Sequence, residues 1–259
     1  MSAQRAGRAE GAAARRITPA LLKAWPLPDP GGGSSKEDRG RVLVVGGSRQ
    51  LPGAVLLTGI AALRAGAGKL QVATVADAAM SLVMSLPEAR VIGLPGGRTG
   101  AIRDLDADAT RSVQNADAVV VGPGMERSTA TQRVARAVIA DARATIVLDA
   151  GALDASAVAA FRRRRSTGVA MVMTPHAGEM ASLLETDEDT VRANAEAIAR
   201  EYARAWNVVL VLKGPTTWIA APDGRLWVNT AGSVGLGTSG SGDVLAGVIA
   251  GLAARGAGA

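Results

Sequence analysis

One stretch of this sequence pairs a glycine-rich backbone with a single carboxylate in a way that suits phosphoryl chemistry. Residues 230–255, TAGSVGLGTSGSGDVLAGVIAGLAAR, hold five glycines between Gly232 and Gly242 and then turn helical in period. Val244, Leu245, Val248, Ile249 and Leu252 recur at helical spacing and predict one buried face. The junction is Gly240-Ser241-Gly242-Asp243. The first N–H groups of a helix have no intrahelical partner and carry partial positive charge, and glycine lets an anion reach them with no Cβ in the way. A phosphate suits that place, and Asp243 beside it could take a proton from a hydroxyl attacking that phosphate. Read alone, GSGD describes no more than a capped helix after a turn. The length of the glycine run and the loops elsewhere favour the chemical reading.

Two further residues stand out. Lys213 closes the apolar run VVLVLK and is followed by Gly214, Pro215, Thr216 and Thr217. A cation with adjacent amides and two hydroxyls suits the phosphates of a nucleotide, where the bland alternative is a strand-end lysine in solvent. The spacing is not that of a Walker A loop, and GGSRQLPGA (46–54) is not a dinucleotide fingerprint because its third glycine falls wrongly. His176, the single histidine, lies in the loop TPHAGE and is expected to contact substrate. One histidine without clustered strong ligands makes no zinc site, so no metal ligands are assigned. The absence of a nucleophile elbow argues against a Ser-His-Asp enzyme. With no cysteine, thiol catalysis, thiolate metal sites and disulfides are excluded.

These loops need a frame. RVLVVGG (41–47), KLQVATV (69–75), DAVVVGPGM (117–125), TIVLDAGAL (145–153), VAMVMTP (169–175) and VVLVLKGPTT (208–217) read as apolar strands ended by loops. Between them lie helical stretches at 53–68, from Asp77 as cap to Leu86, 128–142, up to Phe161, and a charged amphipathic helix over 188–206. The 53–68 helix is apolar all round and is expected to be buried on more than one side. Val91 and Ile92 mark a short strand, 96–116 carries no clear pattern, and 218–229 reads as a hairpin turning at Pro222-Asp223-Gly224. Alternating strands and helices predict an α/β fold: a mostly parallel sheet flanked by helices on both faces, with ligands beyond the strand C-termini. GGSRQLPGA, GPGM, DAG, TPHAGE, KGPTT and GLGTSGSGD all follow strands, so they should share one edge and line one elongated cleft. Residues 1–16 read as a disordered tail and 17–259 as one domain, with Thr18-Pro19 opening a short helix.

The formal net charge of +6 invites a nucleic-acid reading, but the excess sits near the N-terminus. Residues 1–41 carry eight Lys/Arg against four acids, leaving 21 basic and 19 acidic residues for the rest. No basic face is therefore expected. The Arg162–Arg165 run reads as a solvated helix end. No apolar run reaches membrane-spanning length and no secretory signal is visible, so a cytoplasmic protein without nucleic-acid or membrane partners is expected.

Taken in order, RVLVVGGS, AALRAGAG, VVVGPGM, VLDAGAL, TPHAGEM, VLVLKGPTT and GSGDVLAG resemble the blocks of the ADP-dependent (S)-NAD(P)H-hydrate dehydratases, within the ribokinase-like superfamily, from about Ile17 to Ala254. GSGD indicates only the superfamily; TPHAGE and KGPTT with AALRAGAG point to the dehydratases. The resemblance implies a ribokinase-like fold and a hydro-lyase that repairs NADHX or NADPHX at the cost of ADP, or ATP in some relatives, with magnesium. It implies Asp243 as base and substrate contact, Lys213, Gly214, Pro215, Thr216, Thr217 and Gly242 around the nucleotide, and Ala54, Gly124 and His176 on the hydrated-nicotinamide side. It also implies a homo-oligomer, often a tetramer, and a separate NAD(P)HX epimerase in the pathway. A vitamin-precursor type of small-molecule kinase, using the same parts and stopping after the transfer, is the alternative. Gly151 stands where many relatives carry a second acid, which argues against a metal site there. The chain stops soon after the Asp243 helix, so further C-terminal helices are expected to be missing, and residues before Ile17 leave no room for a fused epimerase domain.

Overall fold

The computed structural model describes residues 13–29, 35–164 and 168–258. Its first half runs β1 (Arg15–Arg16), α1 (Pro19–Lys23), β2 (Arg41–Val45), α2 (Pro52–Arg64), β3 (Lys69–Val75), α3 (Ala76–Ser85), β4 (Ala89–Leu94), α4 (Ala107–Gln114), β5 (Ala118–Val121) and α5 (Thr129–Asp141). The second half runs β6 (Thr145–Leu148), α6 (Ala155–Arg162), β7 (Met171–Met173), α7 (Ala177–Leu184), α8 (Glu188–Ala193), α9 (Ala195–Trp206), β8 (Val209–Leu212), β9 (Thr217–Ala220), β10 (Leu226–Asn229) and α10 (Ser241–Ala254).

The strands form one sheet in the order β1-β10-β9-β8-β7-β6-β5-β2-β3-β4. Its central strands are apolar at both parities because both faces are covered. Leu43, Val45, Val119, Val121, Ile146 and Leu148 pack toward α4 to α9, while Val42, Val44, Val72, Val120 and Val147 pack toward α2 and α10. All neighbours are parallel except β9, which is antiparallel to both β8 and β10. The chain therefore reverses twice, once into β9 and once at the Pro222-Asp223-Gly224 turn, and β10 again runs with the others. β8 runs parallel to β7, so its loop emerges on the same edge as those after β2, β5, β6 and β7, and the double reversal returns the loop after β10 to that edge. Along that edge the loops succeed one another in sheet order, as one cleft requires.

Several expectations are corrected. Arg15 and Arg16 are not disordered: they pair with Trp227 and Val228, Ile17 N donates to Val228 O at 2.9 Å, and Arg16 reaches Thr230 Oγ1 at 2.9 Å. The remaining tail, 1–12, lies outside the described residues. Asp77 is not the cap of α3, whose cap position is Val75; it lies in the first turn and pairs with Arg49 at 2.5 Å. The helix expected over 188–206 is two, α8 and α9, divided at Asn194, which keeps φ −119° and ψ 24°. Residues 96–116 do have order: α4, capped by Asp106, an internal bridge from Gly96 to Ile102, and a bridge from Ser48 to Ala101 that leans this segment on the loop after β2. Arg164 is not solvated. It turns inward to cap the end of α5 through the carbonyls of Ile139 and Ala142, the latter at 2.5 Å, and burial lowers its pKa. Arg165 lies outside the described residues.

The largest correction concerns α10. Its buried stripe is not the large apolar set but Ala246, Gly247, Ala250, Gly251 and Ala254; Val244 is 39% exposed, and Leu245 and Ile249 pack only at the margin. The reason is proximity. α10 lies on α2 so closely that a Cβ on Gly247 would collide with the Thr58 carbonyl, and one on Gly251 with the Ala62 carbonyl. Helix α2 in turn buries Val55, Thr58, Gly59, Ala61 and Ala62 and leaves Leu57 and Ile60 partly exposed.

Candidate active site

The predicted base sits where this packing delivers it. α10 begins after Gly240, whose φ of 88° ends the glycine loop in the left-handed region that glycine tolerates. Asp243 is the third residue of the helix and is half-buried. Its pKa is raised, first by burial and then by the negative charge of Asp149, with Lys213 acting against both. The carboxylate therefore meets one acid and one base from two other strands.

Lys213 follows β8 directly. Its backbone N–H donates to Pro175 O at 2.8 Å, which ties its loop to the one after β7. Its Nζ donates to Asp149 Oδ1 at 3.2 Å and lies 3.8 Å from Glu179 Oε2. Asp149 closes β6 at 2% exposure and also accepts from Thr174 Oγ1 at 2.7 Å. A Cβ on Gly242 would stand 3.4 Å from Lys213 Nζ and 3.9 Å from Asp149 Oδ2, so the first turn of α10 abuts this pair. Lys213 is thus no lone cation but the centre of a charged cluster.

His176 is the N-cap of α7. Its Nδ1 accepts from Gly178 N at 3.1 Å and Glu179 N at 3.4 Å, while Glu179 Oε2 accepts from His176 N at 2.8 Å, a reciprocal capping box. An accepting Nδ1 places the neutral ring's proton on Nε2, and the side chain is 57% exposed. Ala54 and Gly124 meet each other further along the edge: Gly124, at φ 67°, follows β5, and a Cβ there would stand 2.9 Å from Ala54 Cβ in the first turn of α2. Gly214 and Pro215 form an exposed rim, with Thr216 and Thr217 partly covered and Thr217 Oγ1 donating to Gly214 O at 3.2 Å.

The structure brings Asp243, Gly242 and Lys213 into one cluster and links His176 to it through Glu179. Ala54 and Gly124 form a second group on the same edge, and the 214–217 loop a rim. Sequence reasoning missed Asp149, Glu179 and Thr174 as members. The signal for Asp149 was present: an acid closing the apolar strand TIVLD at the cleft edge. A separate groove of about 1000 Å³ beside α8 and α9, lined by Arg192, Arg200 and Trp218, holds none of the predicted residues. Of its arginines, Arg192 pairs with Glu188 and Arg200 with Glu196 along their own helices.

A sheet of this order, with the helical N-terminus of GSGD at its C-terminal edge, is the architecture of the ribokinase-like superfamily, represented by an Enterococcus faecalis protein at 28% identity, covering 92% of this chain and 78% of that one with a TM-score of 0.71. Within it the chain belongs to the NAD(P)H-hydrate dehydratase family, which it matches over residues 42–257. It is 49% identical over 250 residues to the ADP-dependent (S)-NAD(P)H-hydrate dehydratase of Xanthomonas campestris pv. campestris, covering 95% of this chain and 82% of that protein. It is 40% identical to the Bifunctional NAD(P)H-hydrate repair enzyme Nnr of Moorella thermoacetica, spanning 91% of this chain but 45% of that longer protein. Among solved structures, the ADP/ATP-dependent NAD(P)H-hydrate dehydratase of Bacillus subtilis, crystallised with ATP and Mg²⁺, superposes with a TM-score of 0.78 at 30% identity, covering 94% of this chain and 83% of that one.

Proposed function

We infer that this chain is an ADP-dependent hydro-lyase that returns the S form of NAD(P)H hydrate to NAD(P)H. The observation that carries the reading is the Asp243 carboxylate in the first turn of α10, half-buried beside Lys213, in a chain 49% identical to a dehydratase of that name. Hydroxide leaves a saturated ring carbon poorly; phosphate leaves well. Asp243 takes the proton of the C6 hydroxyl as its oxygen attacks the terminal phosphorus of ADP, and the bond to the departing AMP breaks. The ring nitrogen's lone pair then expels phosphate from C6, and loss of a proton from the neighbouring ring carbon restores the double bond. Gly242 and the free amides of the α10 terminus offer donors to the phosphoryl oxygens, and Lys213 offers positive charge. Gly214, Pro215, Thr216 and Thr217 frame the nucleotide, while Ala54, Gly124 and His176 frame the hydrated ring, with Nε2–H of His176 as a donor.

Magnesium fits this site only as a companion of the nucleotide. Among the described residues no three His, Cys, Asp or Glu side chains are arranged to hold a metal ion, and the carboxylates of Asp149 and Glu179 are engaged with Lys213. An ion bound chiefly by phosphates and water, as magnesium commonly is, needs no such cage. The setting we propose is a homo-oligomer in the cytoplasm, supplied with the S epimer by a separate epimerase. The bifunctional relative's name supports a second repair activity working beside this one, and among the described residues no helix is long and apolar enough to cross a membrane.

The test is direct. Hydrated NADH, ADP and Mg²⁺ are mixed with the protein, and return of the dihydronicotinamide absorbance near ~340 nm is followed beside phosphate release. Both should appear in equal amounts, and Asp243→Asn should lower turnover by roughly 10²-fold or more while nucleotide still binds. Phosphate without recovery of absorbance would reduce the protein to a phosphatase of this fold, and AMP with neither phosphate nor recovery would leave a kinase that stops after the transfer.

A further inference from the structure

Asp149 is the one fully buried acid in the cluster that the reaction above leaves without a task. It closes β6, so its side chain cannot leave the cleft edge unless the strand moves. At 2% exposure it has both of the things a buried carboxylate needs: a hydrogen bond from the wholly buried Thr174 and an ion pair with Lys213. Its second oxygen faces the first turn of α10 at Gly242. Glu179, on α7, holds Lys213 Nζ from another side. The ammonium group is thereby confined between two acids and a helix terminus. We propose that Asp149 is a positioning residue for the dehydration: its carboxylate fixes Lys213 against the first turn of α10 and sets the charge that Asp243 meets. This rests on the reading of Asp243 as the base.

The groups facing Asp243 are Asp149 from β6 and Lys213 from β8, with Glu179 behind Lys213. Burial and Asp149 raise its pKa; Lys213 lowers it. A base acts deprotonated, so kcat/KM falls as pH drops through that pKa. Removing the Asp149 charge carries this acid limb to lower pH, and removing Lys213 carries it to higher pH. A residue that merely filled space would move neither.

The experiment compares pH profiles of kcat/KM for the hydrated dinucleotide in the wild type, Asp149→Asn and Lys213→Met. Asparagine keeps an acceptor for Thr174 and Lys213 and removes the charge, with an NH2 in place of the oxygen that faces Gly242. The limbs should move in opposite directions by roughly half a pH unit to two units, the range between screened and partly buried charges. An Asp149→Asn limb that stays in place or rises overturns the proposal. Should that variant fail to fold, Asp149→Ser takes its place: a limb carried to lower pH supports the proposal, and an unmoved or rising one overturns it, as does an unmoved limb in Lys213→Met, which would leave Asp149 no effective charge to fix. Asp243→Asn is measured in parallel. Retained turnover there would remove the base itself and this inference with it, whereas an unmoved limb beside an inactive Asp243→Asn removes only the role of Asp149.

Discussion

Gly247 sets how closely α10 lies on α2, and replacing it with alanine sets two effects against each other. Alanine is the better helix former by about 1 kcal/mol. Its Cβ, however, would run into the Thr58 carbonyl and stand 2.8 Å from Ala61 Cβ. The first obstacle is main chain, not the end of a flexible side chain, so the helix itself has to move. Overpacking of this kind costs about 1–3 kcal/mol, and a backbone obstacle belongs at the upper end. The net expectation for Gly247→Ala is a loss of about 1–2 kcal/mol, read as a fall in Tm of about 2–4 °C per kcal/mol for a domain of this size. Gly53→Ala is the control: it lies in α2, nothing stands within 4 Å of its Cβ position, and propensity acts alone, so stability should hold or rise by up to about 1 kcal/mol. Function should follow the packing. Asp243 lies one turn before Gly247, and a displacement of about 1 Å at the helix mouth is worth about 10²-fold in turnover. Thermal melts and kcat of both variants check this. A Gly247→Ala protein as stable as the wild type, or one destabilised with kcat intact, would refute the claim that this contact aims the base.

Two further predictions concern single side chains. Lys213→Ala should weaken ADP by about 10- to 100-fold, the worth of one charge-assisted contact, and leave the hydrated dinucleotide little changed; equal weakening of both in steady-state titrations would take Lys213 off the nucleotide. The same variant leaves buried Asp149 unpaired, so its melting temperature should fall as well. His176→Ala removes the cap of α7 and should cost about 1 kcal/mol, which His176→Asn restores. A KM for the hydrated dinucleotide raised in both variants marks a substrate contact, while one raised in alanine alone marks a cap and nothing more.

Much of the frame was legible because burial on both faces leaves a strong mark. A strand such as RVLVV, apolar at every position but the first, can be little else in a chain of this pattern, and KLQVATV forms β3 at the bounds read from sequence. The cap Thr18 and the Pro-Asp-Gly turn were equally plain, since each carries its cause in a few adjacent residues. The break at Asn194 was not, because hydrophobic periodicity runs through it: Val191, Ala195, Ile198 and Tyr202 still face the core. Nor was the strand at Arg15–Arg16, two basic residues whose only reason to extend is the free edge of β10 some 200 residues later in the chain.

The misread face of α10 and the unread members of the site have one cause. Hydropathy ranks Val244, Leu245 and Leu252 above Gly247 and Gly251, but where two helices nearly touch, the closest positions go to whatever is smallest, so the deepest stripe looks the least apolar. That closeness is a tertiary quantity, as is the bond between Asp149 and Lys213, partners 64 residues apart. Local patterns report neither. Yet each depends on the other: because α10 sits flush on α2 and beneath β5 and β6, its first turn ends against the lysine that Asp149 holds. A larger residue in the glycine stripe would lift the turn away from that lysine without touching one charged atom. On the proposed reading of Asp243, the stripe of small residues is therefore as much a part of the catalytic arrangement as the carboxylate it delivers.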